Sequence, residues 1–296
     1  MRILLRSSRK AVPAPPFASS EIAAPLIVVV MTARLIRALY RSGRVLLLIV
    51  ALLLFIKPLN ADPEQVHKSQ GTFHGFLVLK TLEGETLASG DLVQVAHGDR
   101  VTSRPKFHFR DGSLDDEVAI YSQRKVFQLL SDHHIQLGPS FPKPLDMLID
   151  ARSGQITSRD KNQKATQSHL DLESDICNGI LLALLLNIDP ATTPIRLSMA
   201  APTSKPRLVH VVIAADGEDR VSIAGRAHKA TNYRIKIELG GLPGVVAPVI
   251  GKQPADVHFW ILGGDAPAFL REESQFYEGG PIWRVDLASP LFPSTP

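Results

Sequence analysis

The chain has 296 residues, of which 45% are hydrophobic, and a formal net charge of +4. Nine of the 33 basic residues but only one of the 29 acidic residues lie in residues 1–61, so residues 62–296 carry a net charge of −4. That balance argues against nucleic-acid binding, which needs a basic field on the folded domain. Because Cys177 is the only cysteine, an intrachain disulfide is excluded.

The first 61 residues predict a leader. Residues 1–30 contain four prolines and no periodicity, which indicates disorder or a wrongly assigned start. From Met31, arginines precede an apolar run over residues 45–56, and residues 58–61 resemble a cleavage region, so 31–61 is predicted to be a Sec-type signal peptide. An uncleaved anchor is the alternative, although a span needs roughly 20 apolar residues. We expect a periplasmic or secreted protein that contacts the membrane only through this segment.

After a polar spacer, short runs rich in β-branched and aromatic residues alternate with turn signals. The pair Asp111-Gly112 is the kind most favoured in tight hairpins, which predicts an antiparallel sheet. Before the most apolar stretch, strands are predicted at 72–82, 86–96, 105–110, 118–121, 125–137 and 145–151. After it they are predicted at 195–200, 208–214, 221–227, 233–239, 257–262, 269–273 and 282–287. We therefore expect one domain over 71–292.

Residues 171–187 form the stretch around which the predicted fold is organised. Seven consecutive apolar residues at 180–186, rich in Leu and Ala, favour helix, with Asp171 as N-cap and Asp189-Pro190 as the end. A helix that is apolar on all sides must be covered. The predicted class is therefore α+β: a curved antiparallel sheet (half-barrel) wrapped on one apolar α-helix. A core helix is the ordinary interpretation, and a helix that plugs an apolar groove is the alternative.

The histidine pair His133-His134 is the most tempting metal motif, but neighbouring strand residues point to opposite faces and cannot easily share one ion. Alternation places His133 on the apolar face with Leu129, and His134 with Asp132 and Gln136. An acidic cluster at 111–117 lacks calcium-loop spacing and is interpreted as a solvated hairpin. No zinc, P-loop, dinucleotide or nucleophile-elbow motif occurs, so we predict no catalytic residue, metal or cofactor.

Two dipeptides add candidate ligand-binding residues. Lys252-Gln253 carries a single charge in the Gly-, Pro- and Val-rich segment 240–254, at either a loop tip or a pocket mouth. Asn178-Gly179 places glycine in the predicted helix, where it costs about 1 kcal/mol relative to alanine, so that a strand or a ligand should pack closely there. The candidate ligand-binding residues are His133, Asn178, Gly179, Lys252 and Gln253.

Two resemblances concern the chain as a whole. The export signal, long antiparallel sheet and apolar helix together resemble the half-barrel of periplasmic lipoprotein-localisation carriers over residues 71–290, which implies a sheet that cups apolar cargo. Uncharacterised exported bacterial proteins, from which no activity carries over, are also similar in four segments: FRDGSLDDEVAIYSQ, DICNGILLALLLN, GVVAPVIGKQP and FYEGGPIWRVDLASP.

We therefore expect an exported, non-catalytic binding protein that holds an apolar or lipid-like ligand, or an envelope protein, in the concave face of the sheet. The alternative is a periplasmic hydrolase that uses His133 with an acid brought near by folding, and it requires a nucleophile within reach. A third possibility is a structural interaction protein with a tightly packed interior and an exposed apolar patch.

Overall fold

The structure is a computed structural model that describes residues 63–159, 162, 164–203, 206–223, 225–239 and 253–288. All of them belong to one compact unit, Asn60–Pro296. The predicted disorder at 1–30, the predicted signal peptide at 31–61 and the candidate Lys252 lie outside the described residues. Within the described ranges, no helix has the length and hydropathy needed to cross a membrane.

Fourteen strands form one antiparallel sheet in the order β8-β7-β6-β5-β4-β3-β2-β1-β14-β13-β12-β11-β10-β9. The strands of the first half are β1 (Phe73–Thr81), β2 (Thr86–His97), β3 (Arg100–Phe109), β4 (Leu114–Ser122), β5 (Gln128–Leu137), β6 (Leu145–Asp150), β7 (Gln155–Arg159) and β8 (Ala165–His169). Those of the second half are β9 (Ile195–Ala200), β10 (Leu208–Ile223), β11 (Arg226–Glu238), β12 (Val257–Leu262), β13 (Ala268–Gln275) and β14 (Ile282–Ala288).

Alternation of apolar and polar residues gives the sheet a buried inner face, as β11 illustrates. Tyr233 and Ile235 are buried, whereas Lys236 between Ile235 and Ile237 is exposed. The tight turn predicted at Asp111-Gly112 joins β3 to β4, and Gly112 takes the positive φ of 85° that such turns require. We use "inner face" for the side of the sheet that carries the main apolar core.

The predicted α+β class is wrong, because the described chain is almost entirely β. The expected helix at 171–187 is reduced to the five-residue α1 (Leu181–Leu185), the one α-helix among the described residues. Two features of the backbone explain why the first turns of the expected helix do not form. Gly179 has a φ of 63°, which is incompatible with a right-handed helix, and Ile176 forms a parallel bridge with Ser198 of β9. Tertiary pairing therefore overrides the local helix propensity.

Residues 176–188, which we call the core segment, still fill the inner face. Ten of these thirteen residues are buried. The connection that contains them joins β8 to β9, the two edge strands of the sheet. Its apolar side chains share one core cluster with the inner face, whose largest fully buried members include Leu79, Tyr121, Phe127, Leu129, Met147, Ile149, Ile156, Leu197 and Tyr233.

The sheet is strongly curved, as one long-range contact demonstrates. The Nε2 atom of Gln136 on β5 donates to the carbonyl oxygen of Phe276, just after β13, over 2.7 Å. Six strand spacings separate β5 from β13 in the sheet order, which would be about 29 Å in a flat sheet at roughly 4.8 Å per spacing. The curvature therefore brings β4 and β5 close to β13 across the interior.

Candidate functional site

A group of polar side chains interrupts the apolar inner face where β4 and β5 approach β13. We call it the interior polar cluster, and it consists of Asp115, Glu117, Asp132, His134, Gln136, Glu272 and Ser274. Four of these side chains are carboxyls and one is an imidazole. Because burying charge is costly unless each group is paired, this composition distinguishes the cluster from ordinary core.

A β-bulge decides which histidine enters the cluster. Leu129 pairs with Tyr121 but Ser131 pairs with Ile120, so β5 contains one extra residue, Leu130. The extra residue inverts the alternation, and both Leu129 and Asp132 are buried. The expectation that His133 shares the face of Leu129 is therefore wrong, and His134 takes the inner position instead.

His134 lies between two carboxylates. Its Nε2 atom is 3.3 Å from Oδ2 of Asp115, and its Nδ1 atom is 4.0 Å from Oε1 of Glu117. The same Asp115 oxygen accepts a 2.6 Å hydrogen bond from Nε2 of Gln136. Burial lowers the pKa of His134, but the negative charges of Asp115, Glu117 and Asp132 outweigh it and raise the pKa to about 10. The imidazole is therefore a cation at neutral pH.

Two carboxyls on opposite sides of the interior, those of Glu117 and Glu272, have raised pKa values. Burial, with a contribution from the charge of Asp115, raises the pKa of Glu117 against the opposing effect of His134. Glu272 accepts a 2.6 Å hydrogen bond from the Ser274 hydroxyl. Burial nevertheless raises the pKa of Glu272 to about 7, with further contributions from Glu117 and Asp115. Glu272 thus keeps its proton at pH values between 4.5 and about 7, at which a solvated glutamate would release it.

Asp132 is the most deeply buried carboxyl of the cluster. It is 1% exposed, and its Oδ1 atom has no hydrogen-bond partner. Burial, then the charge of Glu117, raises the pKa of Asp132 well above its ordinary value, although His134 opposes the shift. The core segment presses on this side chain, because a Cβ atom added to Gly179 would lie 2.8 Å from Oδ1 of Asp132 and 2.6 Å from Cβ of Ala119.

The sequence-predicted candidates divide between two parts of the structure. The amide of Asn178 bridges the backbone of Ala200 on β9, donating to its oxygen over 2.9 Å and accepting from its nitrogen over 2.8 Å. Asn178 and Gly179 therefore lie beside the cluster and contact the strands. Gln253 lies elsewhere, where its Nε2 atom donates to the carbonyl oxygen of Ile237 over 2.6 Å. Their role in ligand binding stays a prediction.

His133 lies on the outer face, away from the cluster. Its Nε2 atom is 2.9 Å from Oδ1 of Asp146, and Arg159 approaches the same oxygen at 3.4 Å. Folding thus brings an acid to His133, as the hydrolase alternative required. Among the described residues, however, no hydroxyl or thiol forms a hydrogen bond with His133, so a nucleophile is missing from the arrangement.

Sequence reasoning missed the burial of two acids on β4. The cluster at 111–117 was interpreted as a solvated hairpin, yet Asp115 is 5% and Asp116 is 8% exposed. One sequence pattern could have indicated the interior polar cluster. Asp132, His134 and Gln136 are polar residues at alternate positions of one strand, and the preceding strand is acidic. No group of three or more His, Cys, Asp or Glu in the described part of the chain has an arrangement suited to a metal ion.

Two concavities of the described surface are lined mainly by polar and charged residues. One is lined by Ser153, Gln155, Gln167, Ser168 and His169, and the other by Glu218, Asp219, Arg220, Ala227 and Lys229. Both lie at the ends of hairpins, away from the interior polar cluster. The side chains of the inner face are buried, so a ligand there would have to take space that they fill.

No family model matches the chain, and no curated protein matches it. Similar solved structures include a β-barrel-like protein of the domain of unknown function DUF1849 from Brucella abortus. It is 9% identical in sequence, the match covers 76% of this chain and 97% of that chain, and the TM-score is 0.43. Another is the hypothetical lipoprotein YmcC from Escherichia coli K12, with 8% identity, coverages of 74% and 85%, and a TM-score of 0.31. Both TM-scores are below 0.5, so no residue role is transferred from either protein.

Proposed function

We propose that the chain is an exported, non-catalytic binding protein that holds an apolar or lipid-like molecule against the inner face of the sheet. The observation that carries this proposal is the core segment. Ten of the thirteen residues 176–188 are buried against the inner face, yet only five of the thirteen lie in α1, and the backbone of the segment pairs with β9 at one isolated bridge. Export is supported by the signal-peptide pattern at 31–61.

The contacts of the core segment suggest how a ligand would enter. Polar side chains hold its two ends: Asn178 binds Ala200, and Asn187 accepts hydrogen bonds from the backbone nitrogens of His67 and Lys68 over 2.7 and 2.9 Å. Between these ends, the segment meets the sheet mainly through apolar side chains. Apolar contacts are non-directional, so an apolar ligand could replace them without leaving a donor unpaired.

The hydrolase alternative receives no support from Cys177, the only thiol of the chain. Cys177 is 2% exposed, and burial, together with the charge of Asp175, raises the pKa of its thiol to about 12. A thiol is a nucleophile as its thiolate, so this cysteine is inert while buried. The same property makes Cys177 a sensitive reporter, because the thiol becomes reactive when the core segment moves.

The test combines lipid analysis with thiol labelling. Protein purified from its own envelope is examined by native mass spectrometry and lipid extraction, and the rate of maleimide labelling at Cys177 is measured with and without phospholipid vesicles. We expect co-purifying lipid and faster labelling in the presence of vesicles. Lipid-free protein in repeated preparations, with an unchanged labelling rate, would contradict the proposal.

A matched variant controls for effects of the vesicles on the reagent. Cys177→Ser combined with Ser153→Cys moves the only thiol to an exposed turn between β6 and β7. Its labelling rate should be fast and independent of vesicles. If both thiols respond equally to vesicles, the acceleration at Cys177 does not report movement of the core segment and counts against ligand entry there.

A further inference from the structure

The core segment touches the interior polar cluster where Gly179 lies against Asp132. No protein donor forms a hydrogen bond with Oδ1 of Asp132, and a Cβ atom on Gly179 would lie only 2.8 Å from it. We call the core segment seated when residues 176–188 pack against the inner face, as they do in this structure. An ionised Asp132 carboxylate has no donor at Oδ1 as long as the segment is seated. Ionisation of Asp132 and seating of the segment therefore oppose each other.

The surroundings of Asp132 contain two groups that act on it by charge. Glu117 on β4 disfavours its ionisation, and His134 on β5 favours it. From β6, the strand partner is the apolar Ile149, and the core segment contributes Gly179, so neither supplies a charge. Two further carboxyls interact electrostatically with Glu117. The charge of Asp115 raises the pKa of Glu117, and the charge of Glu117 raises the pKa of Glu272 across the interior.

We propose that a proton on the Asp132 carboxyl regulates the seating of the core segment, so that loss of this proton favours displacement of residues 176–188 from the inner face. The inference rests on the proposed function, because it concerns the movement that would admit the apolar ligand. The proposed regulatory element is the contact between Asp132 and Gly179, and not the apolar inner face that would bind the ligand.

The direction of the pH effect follows from the two states of the segment. With the segment seated, burial holds the pKa of Asp132 well above its ordinary value. With the segment displaced, water reaches the carboxyl and its pKa falls toward the ordinary value of roughly 4. The displaced fraction therefore grows as pH rises between these two values, by at most about tenfold per pH unit for one proton.

The experiment measures Cys177 labelling of lipid-free protein from pH 5 to pH 9, with each rate divided by the rate of the unfolded protein at the same pH. We expect the normalised rate to rise with pH. In Asp132→Asn, which imitates the protonated acid, the rate should stay flat at the low-pH level. Asp146→Asn removes an acid from the outer face and should keep the parent profile. A flat parent profile, or an Asp132→Asn profile that rises like the parent, would overturn the proposal.

A second variant keeps the test decisive if Asp132→Asn does not fold. Glu117→Gln removes the charge that disfavours ionisation of Asp132, so it lowers the pKa of Asp132 in the seated state. The labelling rate should therefore stop rising at a lower pH, and at a lower final rate, than in the parent. A rise that ends at the same pH as in the parent, or at a higher pH, would contradict a role for Asp132. Either variant leaves the reporter Cys177 and its contacts with β9 unchanged.

Lipid extraction separates failure of this inference from failure of the proposed function. If the protein co-purifies with lipid but its lipid-free form has a flat labelling profile, the proton-regulated seating is overturned and the binding role is left in place. Protein that never carries lipid, but whose pH-dependent labelling is abolished by Asp132→Asn, would support the regulated movement and overturn lipid binding as its purpose.

Discussion

Replacement of Glu272 by glutamine should stabilise the protein at alkaline pH. Glu272 faces the interior from β13, where burial raises its pKa from 4.5 to about 7. Because the unfolded chain ionises at lower pH, this group reduces stability as pH rises from 4.5 to about 7, and the penalty is constant above that range. Glutamine carries no charge, and its carbonyl oxygen can still accept the hydrogen bond from Ser274.

The expected gain can be estimated from the size of the pKa shift. A rise from 4.5 to about 7 is equivalent to about 3 kcal/mol at roughly 1.4 kcal/mol per pH unit. Relaxation of the interior reduces this figure, so we expect Glu272→Gln to raise the free energy of unfolding by about 1–3 kcal/mol at pH 8. At pH 4, where both the folded and unfolded chains are largely protonated at this position, the two proteins should differ little.

Urea denaturation of both proteins at pH 4 and pH 8 measures this difference. Glu273→Gln is the matched control, because Glu273 is the next residue on β13, faces outward and accepts a 2.8 Å hydrogen bond from Nε of Arg284. The control should lose up to about 1 kcal/mol at pH 8 and gain nothing. A Glu272→Gln variant that is no more stable than the parent at pH 8 would refute the burial argument for the whole cluster.

Three further substitutions test the contacts that hold the fold. Asn187→Ala removes four hydrogen bonds to residues 64–68 and should cost about 2–4 kcal/mol in urea denaturation, whereas Asn232→Ala on the outer face should cost less than about 1 kcal/mol. Gly179→Ala should destabilise by about 2 kcal/mol or more, because its φ is 63° and strand side chains leave no space for a Cβ atom; an equally stable variant would contradict the close contact. Arg104→Ala breaks a two-point contact with Asp116, whose pKa is lowered, so its cost of about 1 kcal/mol at pH 7 should shrink as pH falls below the ordinary value of 3.8 and the acid is protonated. A cost that does not shrink with falling pH would exclude the ion pair as its cause.

Local patterns in the sequence predict most of the strands and several turns, but they miss β7 and β8. They also predict two strands, at 208–214 and 221–227, where β10 runs unbroken over Leu208–Ile223. The alternation over β11 and the Asp111-Gly112 turn depend on side-chain period and backbone conformation, which act over a few residues. The prediction that β3 begins at Pro105 was wrong, because the strand runs over Arg100–Phe109. Proline lacks only its own backbone N–H donor, so the strand can continue past it. The pairing of β3 with β2 indeed continues through Pro105, which lies opposite Leu92.

The interior polar cluster could not be predicted, because it depends on two non-local facts. A single extra residue, Leu130, inverts the faces of β5, and the sequence contains no glycine or proline there that would indicate a bulge. Curvature of the sheet then brings Glu272 within electrostatic range of Glu117. The helix was overestimated for a related reason, since the Leu- and Ala-rich composition of residues 180–186 does not reveal that Ile176 pairs with β9.

The pairing of β1 with β14 has a consequence for how the chain folds. Every other neighbouring pair in the sheet joins strands that are consecutive in sequence, whereas this pair aligns Phe76 with Ala288. Closing a loop of about 200 residues costs about 2 kcal/mol more in chain entropy than closing one of about 20 residues. Hairpins within β1–β8 and β9–β14 should therefore form early, and the single long-range junction between the two series should set the rate of the final cooperative step.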